Sequence, residues 1–514
     1  MYFLKYATYI ADRDYTIGEI DRRLFGSFVE HFDRIVYNGL LEPEHPLADE
    51  QGFRKDVIET VREAGISAVR YPGGNFVSGY SWTDGIGPVE NRKRRLNLAW
   101  NMVETNRMGT DEFADWCRKA DVGFMATVNL GTGTPREAGE MVEYCNHPGG
   151  TYWSDLRKSN GHPNPHNIRL WYLGNEMDGE WQIGQTTAEG YVQKALEAAK
   201  VMRYVDPTIE LAACGSSCTE TPTYPDWDRT VLESMYDKID YISLHRYYSY
   251  DPRKRLFYPT VDDRTDIAHF PLDLEEFLHT VISAADYAKV KRHGRKNVDI
   301  SFDEWNVVSN SNIAYKTVEP WQDEIGEGQE VFSMLDALVY GGLLCTFVKH
   351  ADRVKIACQA LLLNVGGMFF TQKGGGLVKS PAFYPFQQMA SLGRGISMQD
   401  RVVCPQIVTN HYGEVPAVQT ATVLNEEDKM LTVFAVNFGG EDIALSMDFR
   451  GFETVRPAGH SVLDGDPAAV NTFEEPEKIR PRQVQMDKTA GPDQNAVLPA
   501  MSWNVLRFSL SGRQ

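Results

Sequence analysis

The sequence predicts an α/β fold, a (β/α)8 TIM barrel followed by a C-terminal all-β sandwich of jelly-roll type. Its 514 residues are enough for about two to four domains, or for one large barrel with an appended domain. Short apolar runs alternate with amphipathic segments from residue 21 to about residue 375. After the glycines at 374–376 the pattern changes to the two-residue alternation that is typical of antiparallel strands.

Eight apolar runs in the first part are the candidate barrel strands. They occupy residues 25–32, 66–71, 123–130, 169–176, 209–214, 240–247, 298–305 and 353–363. Between them, segments such as 53–64, 187–204 and 327–340 have apolar residues at three- and four-residue spacing, as a helix that covers a sheet requires. Eight strand–helix units of this kind predict a barrel with long loops over residues 21–375.

The remaining chain, residues 376–514, is predicted to form the sandwich domain. Segments 431–436 and 502–508 alternate with a period of two, turn residues at 437–440 and 464–467 separate such runs, and convincing helix periodicity is absent. The first 20 residues precede the first barrel strand and alternate over 2–10. We therefore expect residues 1–20 to pair with the sandwich and tie the two domains together.

Composition excludes several classes of partner. The chain carries 52 basic and 71 acidic residues, a net charge of −19, so nucleic acid and anionic membranes would repel it. No apolar run is long enough for a membrane span, and no signal peptide is recognisable. Seven scattered cysteines and the lack of an Asn-x-Ser/Thr site predict a cytoplasmic protein.

In a barrel, catalytic residues collect at the C-terminal ends of the strands. Two glutamates lie at such ends, Glu176 as the last residue of the fourth run and Glu304 near the end of the seventh. A single glutamate at a strand end is as often a solvated or salt-bridged side chain as a catalytic one. Two carboxylates that face one substrate, however, can hydrolyse a glycosidic bond, one as nucleophile or base and the other as the acid that protonates the leaving oxygen.

Neighbouring residues fit this chemistry. Asn175 can bond a sugar hydroxyl next to the reacting carbon. Tyr247 can keep a carboxylate ionised and aligned, although a packing aromatic is the alternative. His245 can orient the acid, and a buried structural histidine is an equally common alternative. His31 and Asp33 alone do not make a metal site, so we expect neither a metal nor an organic cofactor.

Several long motifs closely resemble the α-L-arabinofuranosidases of glycoside hydrolase family 51. They are LFGSFVEHF (24–32), RYPGGNFVSGYSWTDGIGP (70–88), NLAWNMVETNRMGTDEF (97–113), WYLGNEMDGEWQIG (171–184), SLHRYY (243–248) and SFDEWNVV (301–308). The resemblance implies a barrel with a β-sandwich and a retaining double displacement. It also implies that Glu176 in GNE is the general acid/base and that Glu304 in DEWN is the nucleophile.

The resemblance further implies which residues surround the substrate. Two tryptophans, Trp100 and Trp181, resemble aromatic walls of the pocket. The residues that resemble those holding the arabinose or positioning the two carboxylates are Glu30, Arg70, Asn75, Asn175, His245, Tyr247 and Gln359. The segment after Gln359 departs from the family pattern, which leaves the preference for the leaving group open.

The implied function is an exo-acting enzyme that releases terminal α-L-arabinofuranosyl units from arabino- or arabinoxylo-oligosaccharides. Family members commonly form hexamers and act inside the cell, so a cytoplasmic homohexamer is expected. A β-xylosidase or an endo-β-glucanase on the same scaffold is the main alternative. A catalytically silent carbohydrate-binding protein is a weaker one, because such a protein has no need to keep both glutamates.

Overall fold

The structure is a computed structural model, and it describes residues 4–249, 264–308, 320–323, 331–410, 412–486 and 490–511. Its strands are β1 Lys5–Glu19, β2 Gly26–Phe28, β3 Ala68–Tyr71, β4 Arg95–Asn97, β5 Met102–Glu104, β6 Gly123–Val128, β7 Leu170–Leu173, β8 Glu210–Cys214, β9 Tyr241–Tyr248, β10 Asp299–Val307, β11 Val354–Ala360, β12 Phe369–Thr371, β13 Leu377–Lys379, β14 Ile396–Val403, β15 Gln406–Thr409, β16 Gly413–Pro416, β17 Val418–Asn425, β18 Met430–Asn437, β19 Ile443–Arg450, β20 Val455–Leu463, β21 Arg482–Val484, β22 Asp493–Leu498 and β23 Ser502–Leu510. Its helices are α1 Lys55–Ala64, α2 Thr110–Ala120, α3 Pro135–Asn146, α4 Tyr152–Ser159, α5 Ala188–Val205, α6 Asp226–Met235, α7 Phe270–Lys291, α8 Met334–Lys349 and α9 Phe383–Leu392.

Eight parallel strands close into a barrel, in the order β10-β11-β2-β3-β6-β7-β8-β9. Six of the eight predicted runs contain one of these strands, and β9 and β10 extend one and two residues beyond theirs, so the predicted barrel is confirmed. The runs are recognisable because strands of a barrel are covered by side chains on one face and by helices on the other, and therefore lack exposed polar positions. Helices α1 and α5 lie where the periodicity at 53–64 and 187–204 predicts them.

The third predicted helix, 327–340, is wrong in its boundaries. Helix α8 begins at Met334, after the N-cap Ser333, and continues to Lys349, while residues 324–330 lie outside the described part of the chain. Every residue from Met334 to Val348 is buried. A helix that is apolar on all sides has no periodic stripe from which its ends can be located.

The C-terminal part contains one sheet of nine strands, in the order β21-β20-β23-β18-β17-β14-β1-β19-β22. Strand β1 lies inside this sheet, antiparallel to β14 and parallel to β19. Side chains of β18 alternate between two cores. Leu431 and Val433 pack with side chains of β1 and β19, whereas Phe434 and Val436 belong to the core that the sheet shares with the barrel. This alternation explains the two-residue period in the sequence.

Helix α9 corrects the expectation that residues 376–514 are all-β. It packs against α1 and α8, so it belongs to the helical layer around the barrel. Its buried residues Phe383, Phe386, Met389 and Ala390 do follow helical spacing. The element has only ten residues and includes Pro385, which obscured the pattern because proline is rare inside helices.

Substitution of Trp503, in β23, tests the contact between the two domains. Its indole is fully buried, its Nε1 donates to Oε1 of Gln388 at 2.8 Å, and a Cβ on Gly341 of α8 would lie 2.5 Å from its ring. We expect Trp503→Ala to lower the free energy of unfolding by about 3–5 kcal/mol in a urea titration, and Trp503→Phe to lower it less. Tyr204→Ala, at a side chain that is 87% exposed, is the control; an equal loss there would contradict the assignment.

Candidate active site

Hydrogen bonds and short ion pairs connect seven of the predicted site residues at the C-terminal ends of the barrel strands. The seven residues are Arg70, Asn175, Glu176, Trp181, His245, Tyr247 and Glu304. They follow or belong to β3, β7, β9 and β10. Apart from Trp181 and Tyr247 they are buried.

A bulge in β10 places two carboxylates on the same side of the barrel. Ser301 pairs with Ser243 and Glu304 with His245, so three residue steps on β10 match two on β9. An extra residue of this kind breaks the alternation of side chains along a strand. Consecutive residues Asp303 and Glu304 therefore both reach Arg70, at 3.0 and 2.7 Å.

Glu304 is held at both of its oxygens. Nη1 of Arg70 donates to Oε1 at 2.7 Å, and the Tyr247 hydroxyl donates to Oε2 at 2.7 Å. Burial raises the pKa of Glu304, whereas the positive charges of His245 and Arg70 and the Tyr247 hydroxyl act to lower it. Arg70 and Tyr247 thus fix the orientation of the Glu304 carboxylate.

Glu176 lies in a loop with left-handed backbone. Its φ is +44° and that of Gly174 is +89°, values that a residue with a Cβ seldom adopts and that concentrate at functional sites. Oε2 accepts the indole N–H of Trp181 at 2.6 Å, and Oε1 lies 3.0 Å from Nδ1 of His245. Trp181 is 44% exposed, so this contact lies near the opening of the site.

His245 lies between the two glutamates. Its Nδ1 is 3.7 Å from Oε2 of Glu304, and its Nε2 is 3.4 Å from Oδ2 of Asp303. Burial lowers the pKa of His245, but Glu304, Asp303 and Glu176 outweigh this effect and raise it to about 10. The imidazole is therefore protonated at neutral pH. One oxygen of Glu176 and one of Glu304 lie within 4.8 Å of each other and of a nitrogen of this ring.

Arg70 balances the negative charge. Its guanidinium is completely buried, lies between the rings of Phe28 and Tyr172, and donates from Nε to the Thr127 hydroxyl at 3.1 Å. Burial alone would raise the pKa of Asp303, but Arg70 and His245 hold it below its usual value. The site thus contains ionised Asp303 and two fixed positive charges beside the glutamates.

Two glycines allow the backbone after β3 to approach these side chains. A Cβ on Gly74 would lie 3.0 Å from Oε1 of Glu304 and 3.4 Å from Nδ2 of Asn175. A Cβ on Gly73, which has a φ of +151°, would lie 2.6 Å from Cγ of Glu30. A side chain at Gly73 would clash with Glu30, and one at Gly74 would push Glu304 and Asn175 out of place by a few tenths of an ångström.

Asn175 presents an unused donor. Its Oδ1 accepts from Nη2 of Arg70 at 2.5 Å. Its buried Nδ2 has no hydrogen-bond partner among the described residues. Buried donors are almost always paired in folded proteins, and this one lies next to Gly74 at the site. It is therefore available to a substrate oxygen.

The other four predicted residues are not joined to this network by direct hydrogen bonds in the described part of the chain. Glu30 accepts the backbone N–H of Phe76 at 2.8 Å, and burial raises its pKa to about 7. Asn75 is half-buried and begins a short 3-10 helix, Asn75–Gly79. Trp100 is half-buried beside Glu30 and packs on Phe32 with ring centroids 4.1 Å apart.

Gln359 is completely buried, and its Nε2 donates to the Tyr340 hydroxyl and to the carbonyl of Gly366. These contacts place its amide nitrogen in the wall between β11 and α8. Its Oε1 has no partner among the described residues, so a role towards a ligand would fall to that oxygen. The contacts of Nε2 hold the amide in place.

Two acidic residues of the site are not among the residues that the sequence predicts. Asp303 pairs with Arg70 and His245, and only the bulge, which sequence does not reveal, brings it there. Asp178 is buried two residues after Glu176 and accepts the backbone N–H of Ser217 at 3.0 Å. Burial and the charge of Glu176 raise the pKa of Asp178 to about 6. Its closeness to Glu176 in sequence is the signal that could have identified it.

The arrangement suits acid–base chemistry better than metal binding. Glu176, His245 and Glu304 are close enough to share an ion. However, a cation there would face the guanidinium of Arg70 at 2.7 Å from Glu304 and would have to displace the proton of His245.

In the described part of the chain, no helix is long and apolar enough to cross a membrane.

Known proteins with similar sequences are α-L-arabinofuranosidases. The family model for the α-L-arabinofuranosidase 1 domain matches residues 60–257, and that for the α-L-arabinofuranosidase C-terminal domain matches residues 303–502. The chain is 46% identical to an intracellular exo-α-(1→5)-L-arabinofuranosidase of Halalkalibacterium halodurans, over 98% of this chain and 99% of that protein. It is 39% identical to an exo-α-(1→6)-L-arabinofuranosidase of Bifidobacterium longum, over 97% of this chain and 96% of that protein.

A solved structure shows the same architecture. A family 51 α-L-arabinofuranosidase from Bifidobacterium longum superposes with a TM-score of 0.92 at 37% identity, covering 98% of this chain and 100% of that one. This agreement confirms the predicted barrel with its C-terminal β-rich domain and the resemblance of the motifs. The chain therefore belongs to the α-L-arabinofuranosidases of glycoside hydrolase family 51.

Proposed function

We propose that this exo-α-L-arabinofuranosidase works by a retaining double displacement, with Glu304 as nucleophile and Glu176 as acid/base. The observation that carries the proposal is the short distance, within 4.8 Å, between an oxygen of Glu176 and an oxygen of Glu304. Retaining glycosidases hold their carboxyl groups about 5–5.5 Å apart, whereas inverting enzymes leave about 6.5–9.5 Å for a water molecule.

In the first step Glu304 attacks the anomeric carbon while Glu176 protonates the departing glycosidic oxygen. Arg70 and Tyr247 donate to Glu304, which aligns the carboxylate for attack and favours its ionised form. The product of this step is an ester between the arabinosyl unit and Glu304. The leaving group departs as a neutral alcohol.

In the second step Glu176 removes a proton from water, and the water oxygen attacks the same carbon. The ester to Glu304 breaks, and arabinose leaves with its original configuration. Trp181 donates to Oε2 of Glu176 and Nδ1 of His245 lies 3.0 Å from its Oε1, so both are placed to orient the ionised carboxylate as the base of this step. The steps use protein carboxyl groups and water alone, so the mechanism requires neither a metal nor an organic cofactor.

The substrate is proposed to be a short arabino-oligosaccharide. Nδ2 of Asn175 donates to a hydroxyl of the terminal sugar, and Glu30, Asn75 and Gln359 line or support the same subsite. Trp100 and Trp181 form its aromatic walls. The relative from Halalkalibacterium halodurans is named for a (1→5) linkage and the one from Bifidobacterium longum for a (1→6) linkage, so a (1→5)-linked terminal unit is the first choice.

Location and assembly are proposals as well. The Halalkalibacterium halodurans relative is named intracellular, which supports action in the cytoplasm on oligosaccharides taken into the cell. A homohexamer is proposed on the resemblance to the family. The net charge of −19 fits a neutral sugar substrate and disfavours nucleic acid or an anionic membrane as a partner.

A panel of chromogenic glycosides and arabino-oligosaccharides tests the substrate. We expect rapid cleavage of the aryl α-L-arabinofuranoside, slow cleavage of the β-xyloside and release of single arabinose units from (1→5)-linked oligosaccharides. Release rates are measured by absorbance and by chromatography of the products. Faster cleavage of the β-xyloside, or internal cleavage of a β-glucan, would establish one of the alternative glycosidases; sugar binding without turnover would establish a silent binding protein.

Removal of each glutamate separates their roles. Glu304→Ala should lower kcat by several orders of magnitude, about 10⁴-fold or more. Glu176→Ala should slow substrates with poor leaving groups most, because protonation matters least for a good leaving group. Glu189→Ala, at an exposed glutamate in the first turn of α5, is the control and should retain full activity.

Added azide gives the two variants opposite products. With Glu176→Ala, azide attacks the ester to Glu304 and yields the α-azide, whereas with Glu304→Ala it replaces the nucleophile and yields the β-azide. The anomeric configuration is read by NMR spectroscopy. The reverse pairing would exchange the two roles, and normal turnover by Glu304→Ala would rule out the proposed nucleophile.

Tyr247→Phe tests how Glu304 is kept ionised. The hydroxyl stabilises the carboxylate and so lowers the pKa of Glu304; its removal should therefore raise that pKa. The acidic limb of the kcat/KM profile should move to higher pH by about one unit, with about a 10- to 100-fold loss in kcat. Tyr248→Phe removes a hydroxyl that contacts Asp273 instead and should leave the limb in place. Identical profiles for Tyr247→Phe and the unmodified enzyme would contradict the role.

A further inference from the structure

A second group of metal-ligating side chains lies on the outer helices, away from the glutamates of the barrel. Glu275 and His279 are four residues apart on α7, so they project from the same face of the helix. His350 is the C-cap of α8, which packs against α7. One ligand atom of each of these three side chains lies within 4.8 Å of the others.

The distances are close to those of a tetrahedral metal site. Oε1 of Glu275 is 3.7 Å from Nε2 of His279, and the rings of His279 and His350 have centroids 4.9 Å apart at 82°. Bonds of about 2.0–2.1 Å to a tetrahedral ion separate neighbouring ligand atoms by about 3.3 Å. Small rotations of two side chains therefore complete the geometry.

The side chains are accessible and uncommitted. Those of Glu275 and His279 are 46% and 64% exposed, so an ion and its remaining water ligand can enter from solvent. In the described part of the chain, no hydrogen bond occupies the ring nitrogens of His279 or His350. The contact between Glu275 and His279, at 3.7 Å, is longer than a hydrogen bond and is cheaply replaced by two metal bonds.

Nearby charges favour a cation. Asp352 lies close to His350 and adds negative charge, as does Glu275 itself. Lys349 also acts on His350, and its Nζ lies 3.2 Å from Oδ1 of Asp400, which offsets its positive charge. An incoming divalent ion thus meets two carboxylates and one lysine that is already paired.

Another group of possible metal ligands in the described residues, Asp111, His162 and His166, already has its own hydrogen bonds. Oδ1 of Asp111 lies 2.7 Å from Nε2 of His166, and Oδ2 accepts the hydroxyl of Tyr144 at 2.6 Å. Asp111 is buried, and an ion bound to it and to Nε2 of His166 would have to replace the contact between these two side chains. This group is complete without a metal, whereas the group on α7 and α8 is open.

We propose that Glu275, His279 and His350 bind a divalent transition-metal ion of the zinc type, with water as the fourth ligand. Two imidazoles and one carboxylate suit Zn²⁺ and exclude selective binding of Mg²⁺ or Ca²⁺, which require oxygen ligands. The ion cross-links α7 and α8. Since α8 also packs on β14, β17 and β18, the cross-link stiffens the helix that joins the barrel to the C-terminal sheet.

Equilibrium dialysis of the EDTA-treated full-length protein against ZnCl2 tests the site. The unmodified protein should bind one more zinc ion per chain than His279→Ala or His350→Ala, and Glu275→Gln should weaken binding of that ion. Both histidine variants should be compared with His293→Asn, which removes an exposed imidazole beyond α7 with a φ of +54° that asparagine tolerates. Zinc bound at the catalytic glutamates is common to all variants and cancels in the comparison.

Thermal unfolding gives an independent readout. At a zinc concentration of about 100 times the dissociation constant, the melting temperature of the unmodified protein should rise by about 2–3 °C. The rise should persist in His293→Asn, disappear in His279→Ala and be absent with MgCl2. Equal zinc stoichiometry in the unmodified protein and both histidine variants, or an equal rise in melting temperature, would overturn the proposal.

Discussion

The active site depends on one buried ion pair, that of Arg70 with the adjacent carboxylates of Asp303 and Glu304. Two carboxylates this deep in a barrel would hold protons unless positive charge lay beside them. Arg70 supplies that charge and is itself stabilised by the rings of Phe28 and Tyr172. Asp303 thereby supports the proton on His245, and His245 faces both glutamates. Removing one member leaves the others buried without compensation, which costs about 3–5 kcal/mol in comparable cases.

Irregular backbone creates this ion pair on an otherwise regular barrel. Without the bulge in β10, Asp303 and Glu304 would point to opposite sides of the strand. Without left-handed backbone at Gly174 and Glu176, the second carboxyl would continue along its strand instead of turning towards His245. The left-handed conformation of Glu176 costs about 1–3 kcal/mol and persists only where packing enforces it. The close contacts of Gly73 and Gly74 show that the loop after β3 is part of the same enforced geometry.

Sequence alone predicted what depends on composition and strand order. The eight barrel strands were recognisable as apolar runs, and Glu176 and Glu304 stood out because they end such runs. The ends of α8 and the existence of α9 were not predicted, since one helix is apolar on every side and the other is short and contains Pro385. Asp303 was missed for a different reason, because a bulge changes the direction of a side chain without leaving a mark in the sequence. The amide of Gln359 faces the wall behind the site, a detail that only tertiary contacts reveal.

The same tertiary contacts make the two parts of the chain inseparable. Strand β1 precedes the barrel in sequence but lies between β14 and β19 of the C-terminal sheet. Both neighbours of β1 follow the barrel in sequence, so β1 can pair on its two edges only with strands that come after the barrel. Helix α8 faces barrel strands on one side and β17, β18 and β23 on the other, so its burial on all sides requires both domains. Tyr340 of this helix also donates to Oδ1 of Asn306 in β10 and accepts from Gln359 in β11. Through α8, the C-terminal sheet therefore supports β10, the strand that carries Glu304. Both domains thus contribute to the wall of the active site.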